Sequence, residues 1–340
     1  MNVVLLRFSA LGDVVLTAPA VEALKRALPE ARIHYAVKQR LVDLVRHNPH
    51  LESVIELRPG EGPLSFSRRL RAVRPDVVLD LHGKIRSKIL RALLPGVRKV
   101  VWHKRDFADT LPVKLALRPY RASMLFADRY HAAVEELVGR PVERGQLRYW
   151  LGPDDVAIAS RILEEGGLVP GQPLLGLSPG ANWETKRWPV DRFAGLARRA
   201  LKLGVQVAVQ GSESETTVAR ELVRLAPGAV DLSGKLDLRG LGGFTSLCTA
   251  FVANDSGPMH LARALGVPTL AMFGSTDPGM FDFTGHHVLF AGVACSPCSF
   301  FGRRRCPRGH FRCMLDLDVD RAWSALEPLL GKRKSLLVCA

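Results

Sequence analysis

Phe251-Val-Ala-Asn-Asp-Ser-Gly-Pro-Met-His-Leu-Ala-Arg-Ala-Leu-Gly-Val-Pro-Thr-Leu-Ala-Met-Phe-Gly-Ser-Thr-Asp-Pro278 reads as strand, turn, helix, strand and turn. The apolar run Phe251 to Ala253 stops at Asn254 and Asp255, and either Asp255 or Ser256 is placed to cap the helix that follows. Gly257 permits a tight turn with close approach of a ligand to the backbone. His260 to Leu265 forms the helix, Gly266 stops it, and Pro268 to Phe273 has the continuous apolar character of a buried parallel strand. A polar turn at the carboxyl end of a strand, opening a helix, is where α/β sheets bind ligands. The helix N-terminus there offers unpaired N–H groups and a positive dipole to an anion. Asp255, Ser256 and His260 are thus placed to converge on a phosphorylated or polyhydroxyl ligand; the plainer reading is an ordinary βαβ turn.

The rest of the chain extends this pattern in both directions. Asn2 to Phe8 is a continuously apolar strand, Ser9-Ala10-Leu11-Gly12-Asp13 its turn, and Val14 to Leu28 a helix stopped by Pro29. This turn lacks Gly-x-Gly-x-x-Gly, so no dinucleotide fingerprint is present. Asp13 at the helix start reads either as a cap or as a general base. Strands are expected at Arg32 to Val37, Val54 to Leu57 and Asp76 to Leu81, with helices at Gln39 to His47 and Leu64 to Val73 between them. Such alternation means a doubly wound parallel sheet. A basic helix, Lys84 to Leu94, follows His82-Gly83, with Lys84, Arg86 and Lys88 in its first turns. It is either a solvated face or a site where an anion relieves the conflict between cations and the helix dipole. Arg98, Lys99, His103, Lys104 and Arg105 extend the basic patch, and Phe107 to Arg129 reads as loop and helix.

Leu147 to Leu151 is expected as a strand leaving the first domain, and Gly166 to Gly171 as the linker. The domains are accordingly placed at 1–165 and 166–340. In the second, Leu174 to Ser178 is a strand and Pro179-Gly-Ala-Asn-Trp-Glu-Thr-Lys-Arg-Trp-Pro189 its turn, ahead of a helix from Val190 to Leu203. Lys186 at this junction is either exposed or poised to neutralise a diphosphate. After the strand Val205 to Val209, Glu213 or Glu215 is placed to bond ribose hydroxyls or to help the following helix. Cys295, Cys298, Cys306 and Cys313 are spaced C-x2-C-x7-C-x6-C, which allows a structural zinc site, reduced thiols, disulfides or an iron–sulfur cluster. Arg303, Arg304 and Arg305 read as a solvated turn. Asp316, Asp318 and Asp320 read as capping charges before the helix Val319 to Leu330, and the residues from Lys332 as a basic tail.

Length and composition bound the alternatives. The 340 residues suffice for two ordinary domains. Residues 1–150 carry 27 Lys and Arg against 15 Asp and Glu, whereas 151–340 carry 21 against 18, so the first half should attract an anionic partner. No apolar run approaches the ~18–20 residues of a membrane span. Arg7 and Asp13 interrupt the apolar N-terminus, and no signal peptide is expected. Clustered rather than dispersed cysteines fit a reducing compartment.

Three ordered signatures, near residues 7–19, 179–189 and 255–278, resemble those of the family 9 glycosyltransferases, the ADP-heptose:lipopolysaccharide heptosyltransferases. They are Arg-x-Ser-Ala-Leu-Gly-Asp with Thr17 and Pro19; Pro-Gly-Ala with Lys-Arg-Trp-Pro; and Asp-Ser-Gly-x-x-His with Ala-x-Gly-x-Pro and Phe-Gly-x-Thr-x-Pro. The resemblance covers nearly the whole chain. It implies an α/β GT-B architecture, two Rossmann-like doubly wound parallel-sheet domains facing a cleft. It further implies inverting, metal-independent transfer of heptose from ADP-heptose to the lipopolysaccharide inner core, with Asp13 as catalytic base. The donor would meet Ser178, Lys186, Glu215, Asp255, Ser256, Gly257 and His260; the acceptor would meet Ser9, Gly12, Lys84, Arg86 and Lys88. Members often carry a similar cysteine run. The implied setting is a cytoplasmic monomer, peripheral on the inner face of the cytoplasmic membrane, with no nucleic-acid partner. The alternatives are a related enzyme using another nucleotide sugar, an epimerase, or a basic nucleic-acid-binding protein. The last lacks an RNP motif, histidine zinc fingers and interleaved aromatics.

Overall fold

A computed structural model describes residues 1–102, 113 and 121–331. The expectations for His103, Lys104, Arg105, most of 107–120 and the tail from Lys332 lie outside the described residues. The chain divides into two compact units, Met1–Asp106 with Ser123–Trp150, and Phe107–Ala122 with Leu151–Ala340.

The first unit is built on β1 (Asn2–Leu6), whose Val3, Val4, Leu5 and Leu6 are fully buried. Each such side chain stabilises the unit by about 1.5–3 kcal/mol. Two short helices follow, α1 (Leu11–Val15) and α2 (Ala18–Ala27), where one continuous helix was expected. The break has a local cause. The Thr17 hydroxyl bonds back to Val14 O at 2.7 Å and meets Tyr35 Oη at 2.8 Å, and Pro19 restarts the helix where its missing N–H costs nothing. Then come β2 (Arg32–Lys38), a 3₁₀ stretch at Gln39–Leu44 in place of the expected helix, β3 (Ser53–Leu57), α3 (Pro63–Ala72), β4 (Val77–Asp80), α4 (Ile85–Ala92) and β5 (Arg98–Val101). The sheet is parallel, in the order β3-β2-β1-β4-β5, with Val4 registered against His34 on one side and Val78 on the other. Consequently β1 is central, and the turns after β2 and β4 flank the turn that carries Asp13.

After α5 (Phe126–Val138) the chain returns across α2 without the strand expected at 147–151. Side chains hold this return instead. Gln146 N–H donates to Glu22 Oε2 at 2.6 Å, Tyr149 Oη donates to Asp43 O at 3.2 Å, and the Trp150 ring stands edge-on to His50 at 5.7 Å.

The second unit, which already includes Phe107–Ala122, resumes at Leu151, fifteen residues before the expected linker. Helix α6 (Asp155–Glu165) packs along α9 (Leu238–Leu247), and Arg239 Nε reaches Asp155 Oδ1 at 2.8 Å. The glycines after Glu165 turn within this unit rather than linking two. The remaining elements are β6 (Leu174–Ser178), α7 (Val190–Lys202), β7 (Gln206–Val209), α8 (Thr216–Leu225), β8 (Val230–Asp231), β9 (Ala250–Asn254), α10 (Gly257–Ala264), β10 (Thr269–Phe273), β11 (His287–Phe290) and α11 (Val319–Leu330). They form a six-stranded parallel sheet, β11-β10-β9-β6-β7-β8, over a core that includes Leu175, Leu177, Trp188, Phe193, Val207 and Val252. Asp318 caps α11 through Arg321 N at 2.7 Å, as expected. No described helix is long and apolar enough to cross a membrane.

Candidate active site

In the second unit the turns after β6, β7, β9 and β10 bring the polar residues together. Lys186 ends a 3₁₀ turn (Glu184–Lys186), and its ammonium lies 2.6 Å from Asp255 Oδ2. Thr276 Oγ1, in the turn after β10, donates to the same oxygen at 2.6 Å. Burial alone would push the Asp255 carboxyl up, but Lys186 and the Thr276 hydroxyl hold it below the usual carboxylate range. Asp255 is therefore an internal partner that aims Lys186. The next residue, Ser256, is the N-cap of α10, yet its side chain makes no capping bond. Its Oγ is buried without a hydrogen-bond partner among the described residues, at a helix end that attracts anions.

His260 lies one turn into α10, buried beside Phe281 with ring centroids 4.6 Å apart. Arg263 Nη1 sits 3.2 Å from His260 Nδ1. The arginine can only donate, so Nδ1 accepts and the neutral ring carries its proton on Nε2. Burial, with Arg263 adding to it, pushes His260 down to about 3. Near neutral pH His260 therefore offers an N–H dipole and no charge.

Glu215 lies against Gly180, where a Cβ would sit 1.9 Å from Glu215 Oε1. Its Oε2 accepts from Ser212 N and Oγ, both at 2.8 Å. Glu213, the alternative for a ribose contact, is exposed. Ser178 closes β6, and its hydroxyl is already engaged by Gln210 Nε2 in the interior.

The four cysteines are thiols, none in a disulfide. Cys295 Sγ is 3.6 Å from His310 Nε2. Burial pushes Cys313 up to about 12, with Cys298, Cys306 and Cys295 adding to it, and burial raises Cys298 as well. No three His, Cys, Asp or Glu among the described residues are gathered so as to hold a metal ion. Arg303 departs from the solvated turn expected for it: Nη2 donates to Val113 O at 2.8 Å and Cys298 O at 3.2 Å. Arg304 and Arg305 are exposed.

In the first unit Asp13 is the third residue of α1, not its cap. One oxygen accepts from Ala10 N at 3.0 Å and pairs with Arg7. Arg7 is buried, donates to Leu81 O at 2.6 Å, and lies 5.5 Å from the Tyr130 ring and 5.9 Å from that of Trp102. Burial raises the Tyr130 phenol far above its ordinary range, so it stays neutral beside the guanidinium. Ser9 and Gly12 lie in the same turn. Lys84, Arg86 and Lys88 are exposed at the start of α4, beyond β4. Lys38 ends β2, and burial together with Arg40, Arg86 and Lys84 depresses its ammonium. These cations crowd one edge of the sheet, the edge that carries Asp13.

Glycosyltransferase family 9 (heptosyltransferase) matches residues 64–303 of the chain. The lipopolysaccharide heptosyltransferase 1 of Pseudomonas aeruginosa is 31% identical over 320 residues, covering 88% of this chain and 86% of that protein. The chain belongs to glycosyltransferase family 9. Among solved structures, a family 9 glycosyl transferase from Veillonella parvula superposes with a TM-score of 0.79 at 23% identity, covering 97% of both chains. The E. coli ADP-heptose LPS heptosyltransferase II gives 0.74 at 21%, covering 97% of this chain and 98% of that one. The expected GT-B fold of two parallel-sheet α/β domains is thus present.

Within this glycosyltransferase, Arg7, Lys38, Arg40, Thr185, Ser275, Thr276 and Arg263 escaped the sequence reading. The partner of Arg7 lies within its own signature, and Lys38 and Arg40, at and just after the end of β2, were visible as charge. The Thr185 and Thr276 contacts join segments about 90 and 20 residues apart and left no local sign.

The state of His260 gives the transferase a pH dependence. The unfolded chain binds a proton near pH 6.5, whereas folded His260 stays neutral down to about 3. Stability is therefore complete above the unfolded value and falls as pH drops toward 3, by about 2 kcal/mol at pH 5 for this group. His286, pushed down to about 4 chiefly by burial, acts in the same direction. His260→Gln should keep part of the slope and lose the rest; thermal melts of both proteins at pH 7.5 and 5 measure it. Parallel melting curves would contradict the neutral assignment.

Proposed function

We propose that this glycosyltransferase moves a heptosyl unit from ADP-heptose to a hydroxyl of the lipopolysaccharide inner core with inversion at the anomeric carbon. One observation carries the reading: an ammonium, Lys186, is aimed by a buried carboxylate at the start of a helix whose N-cap hydroxyl, Ser256 Oγ, has no partner among the described residues. This arrangement suits a departing diphosphate. Asp13 takes the proton from the acceptor hydroxyl as its oxygen bonds to the anomeric carbon. The bond to the β-phosphate oxygen breaks, and ADP leaves with the electron pair. Glu215, beside Gly180, would meet the ribose hydroxyls, and His260 would offer its Nε2–H to the donor. Lys186 and the helix end take the part a divalent metal plays elsewhere, so turnover should survive chelation. A screen of nucleotide sugars with a lipopolysaccharide-core acceptor tests the reading. Transfer from ADP-heptose supports it, and transfer only from a different nucleotide sugar, or epimerisation without an acceptor, rejects it.

The cations Lys38, Arg40, Lys84, Arg86 and Lys88 suit an anionic acceptor, and α4 also exposes Ile85 (77%) and Ile89 (42%). This mixture of apolar and cationic side chains fits peripheral attachment to the anionic inner leaflet of the cytoplasmic membrane by a monomer. Replacing Lys84, Arg86 and Lys88 with Ala should weaken binding to anionic vesicles about fivefold per charge at low salt. Binding that ignores both salt and lipid charge would argue against it. Zinc in the cysteine loop is a separate proposal, settled by metal analysis of reduced protein: one zinc per chain supports it, and four titratable thiols without metal dismiss it.

A further inference from the structure

The loop bearing Cys295, Cys298 and Cys306 has no part in the chemistry above, yet it is fastened to the turn that carries Lys186. Thr185, the residue before Lys186, is 2% exposed. Its hydroxyl donates to Arg303 O at 3.1 Å, accepts from Arg303 N at 2.8 Å and meets Ser275 Oγ at 2.9 Å. One proton and two lone pairs are thereby all used. Thr185 N donates to Arg303 O as well, at 3.2 Å. Beside this bond Gly302 adopts φ +103°, and a Cβ there would lie 2.6 Å from the Trp183 side chain. The loop thus touches the lysine turn at Trp183 and at Thr185. Its other anchor is the turn after β10: Ser275 O accepts from Cys298 N at 3.0 Å and Ser299 N at 2.9 Å, and Ser296 Oγ bonds to Gly274 O. The next residue in that turn, Thr276, is the one that bonds Asp255.

We propose that Thr185 is a positioning residue for the donor diphosphate, and that the cysteine-bearing loop is a wall of the donor site acting through it. The proposal rests on the reading of Lys186 as the diphosphate ligand. Asp255 fixes the ammonium, and the Thr185 clamp fixes the backbone from which the flexible stem starts. A long side chain held at both ends loses little freedom when the anion arrives, so its charge goes into binding.

The test measures ADP and adenosine affinity by calorimetry, with kcat and KM for the sugar donor. Thr185→Val keeps the shape and removes the hydroxyl. ADP should bind about tenfold more weakly, adenosine within about twofold of wild type, and Thr185→Ser should restore ADP binding. Gly302→Ala leaves the lysine turn chemically unchanged but drives the loop off Trp183, and should give the same ADP-selective loss. If Thr185→Val does not fold, Ser275→Ala takes its place, with a smaller loss of the same selectivity. Equal losses for ADP and adenosine, or unchanged ADP binding in folded Thr185→Val and Gly302→Ala, would overturn the clamp. If Lys186→Ala itself leaves ADP binding intact, the underlying reading of Lys186 fails as well.

Discussion

Asp13→Asn lowers turnover by about 10²–10⁴-fold while leaving ADP affinity within about twofold of wild type. A sugar hydroxyl is a poor nucleophile until its proton is taken, and Asp13 is the acidic group of the first βα turn. The substitution preserves size, and the Asn carbonyl can still accept from Ala10 N–H. What it loses is the charge that pairs with Arg7. Arg7 keeps its bond to Leu81 O and its place beside the Trp102 and Tyr130 rings, so the unit remains folded, with a melting temperature lower by several degrees. Turnover measured with saturating donor, beside the folded fraction at the same temperature, separates these effects. Wild-type turnover, or a loss that only tracks the unfolded fraction, would place the base elsewhere.

The second large effect belongs to Lys186→Ala, for which ADP affinity should fall by about a hundredfold or more. Two changes add. The cation that meets the diphosphate disappears, and Asp255 is left buried with Thr276 alone, facing the incoming anion. Breaking a buried pair in this way costs about 3–5 kcal/mol. Lys186 is what holds the Asp255 carboxyl low against burial. Without it burial prevails and the carboxyl shifts upward, so the variant should bind ADP better at pH 5 than at pH 8. Adding Asp255→Asn should recover stability and part of the affinity. Wild-type ADP binding and turnover in the single variant would remove Lys186 from the donor site.

Much of this could be read along the chain because its strongest signals are local. Continuous apolar runs such as Val3 to Leu6 and Leu174 to Leu177 announce central parallel strands, and small polar turns after them announce the site. Two edge strands were missed for the converse reason: β5 begins Arg98-Lys99 and β11 begins at His287, compositions that serve a strand half open to water, whereas the edge strand β3, with Val54 and Ile55, was legible. The sequence placed Asp255, His260 and Lys186 in site turns but could not show their pairing, because the Lys186–Asp255 and Arg263–His260 contacts belong to packing rather than to pattern. Asp255 spends its charge on Lys186, and His260 loses the ability to carry one.

The chain passes between the units at Asp106–Phe107, Ala122–Ser123 and Trp150–Leu151, so no single cut takes the protein apart cleanly. A fragment ending at Trp150 retains the contacts of Gln146, Tyr149 and Trp150 with Glu22, Asp43 and His50, and so keeps its own edge closed. A fragment ending at Glu165, the boundary suggested by the glycines, would drag α6 along without α9. Ala159 and Leu163 would then meet water, and Asp155 would lose Arg239. The shorter piece leaves α6 with its partner but still carries Phe107–Ala122, a part of the second unit whose buried Val113 would lose Arg303; the longer one adds a sticky helix to that.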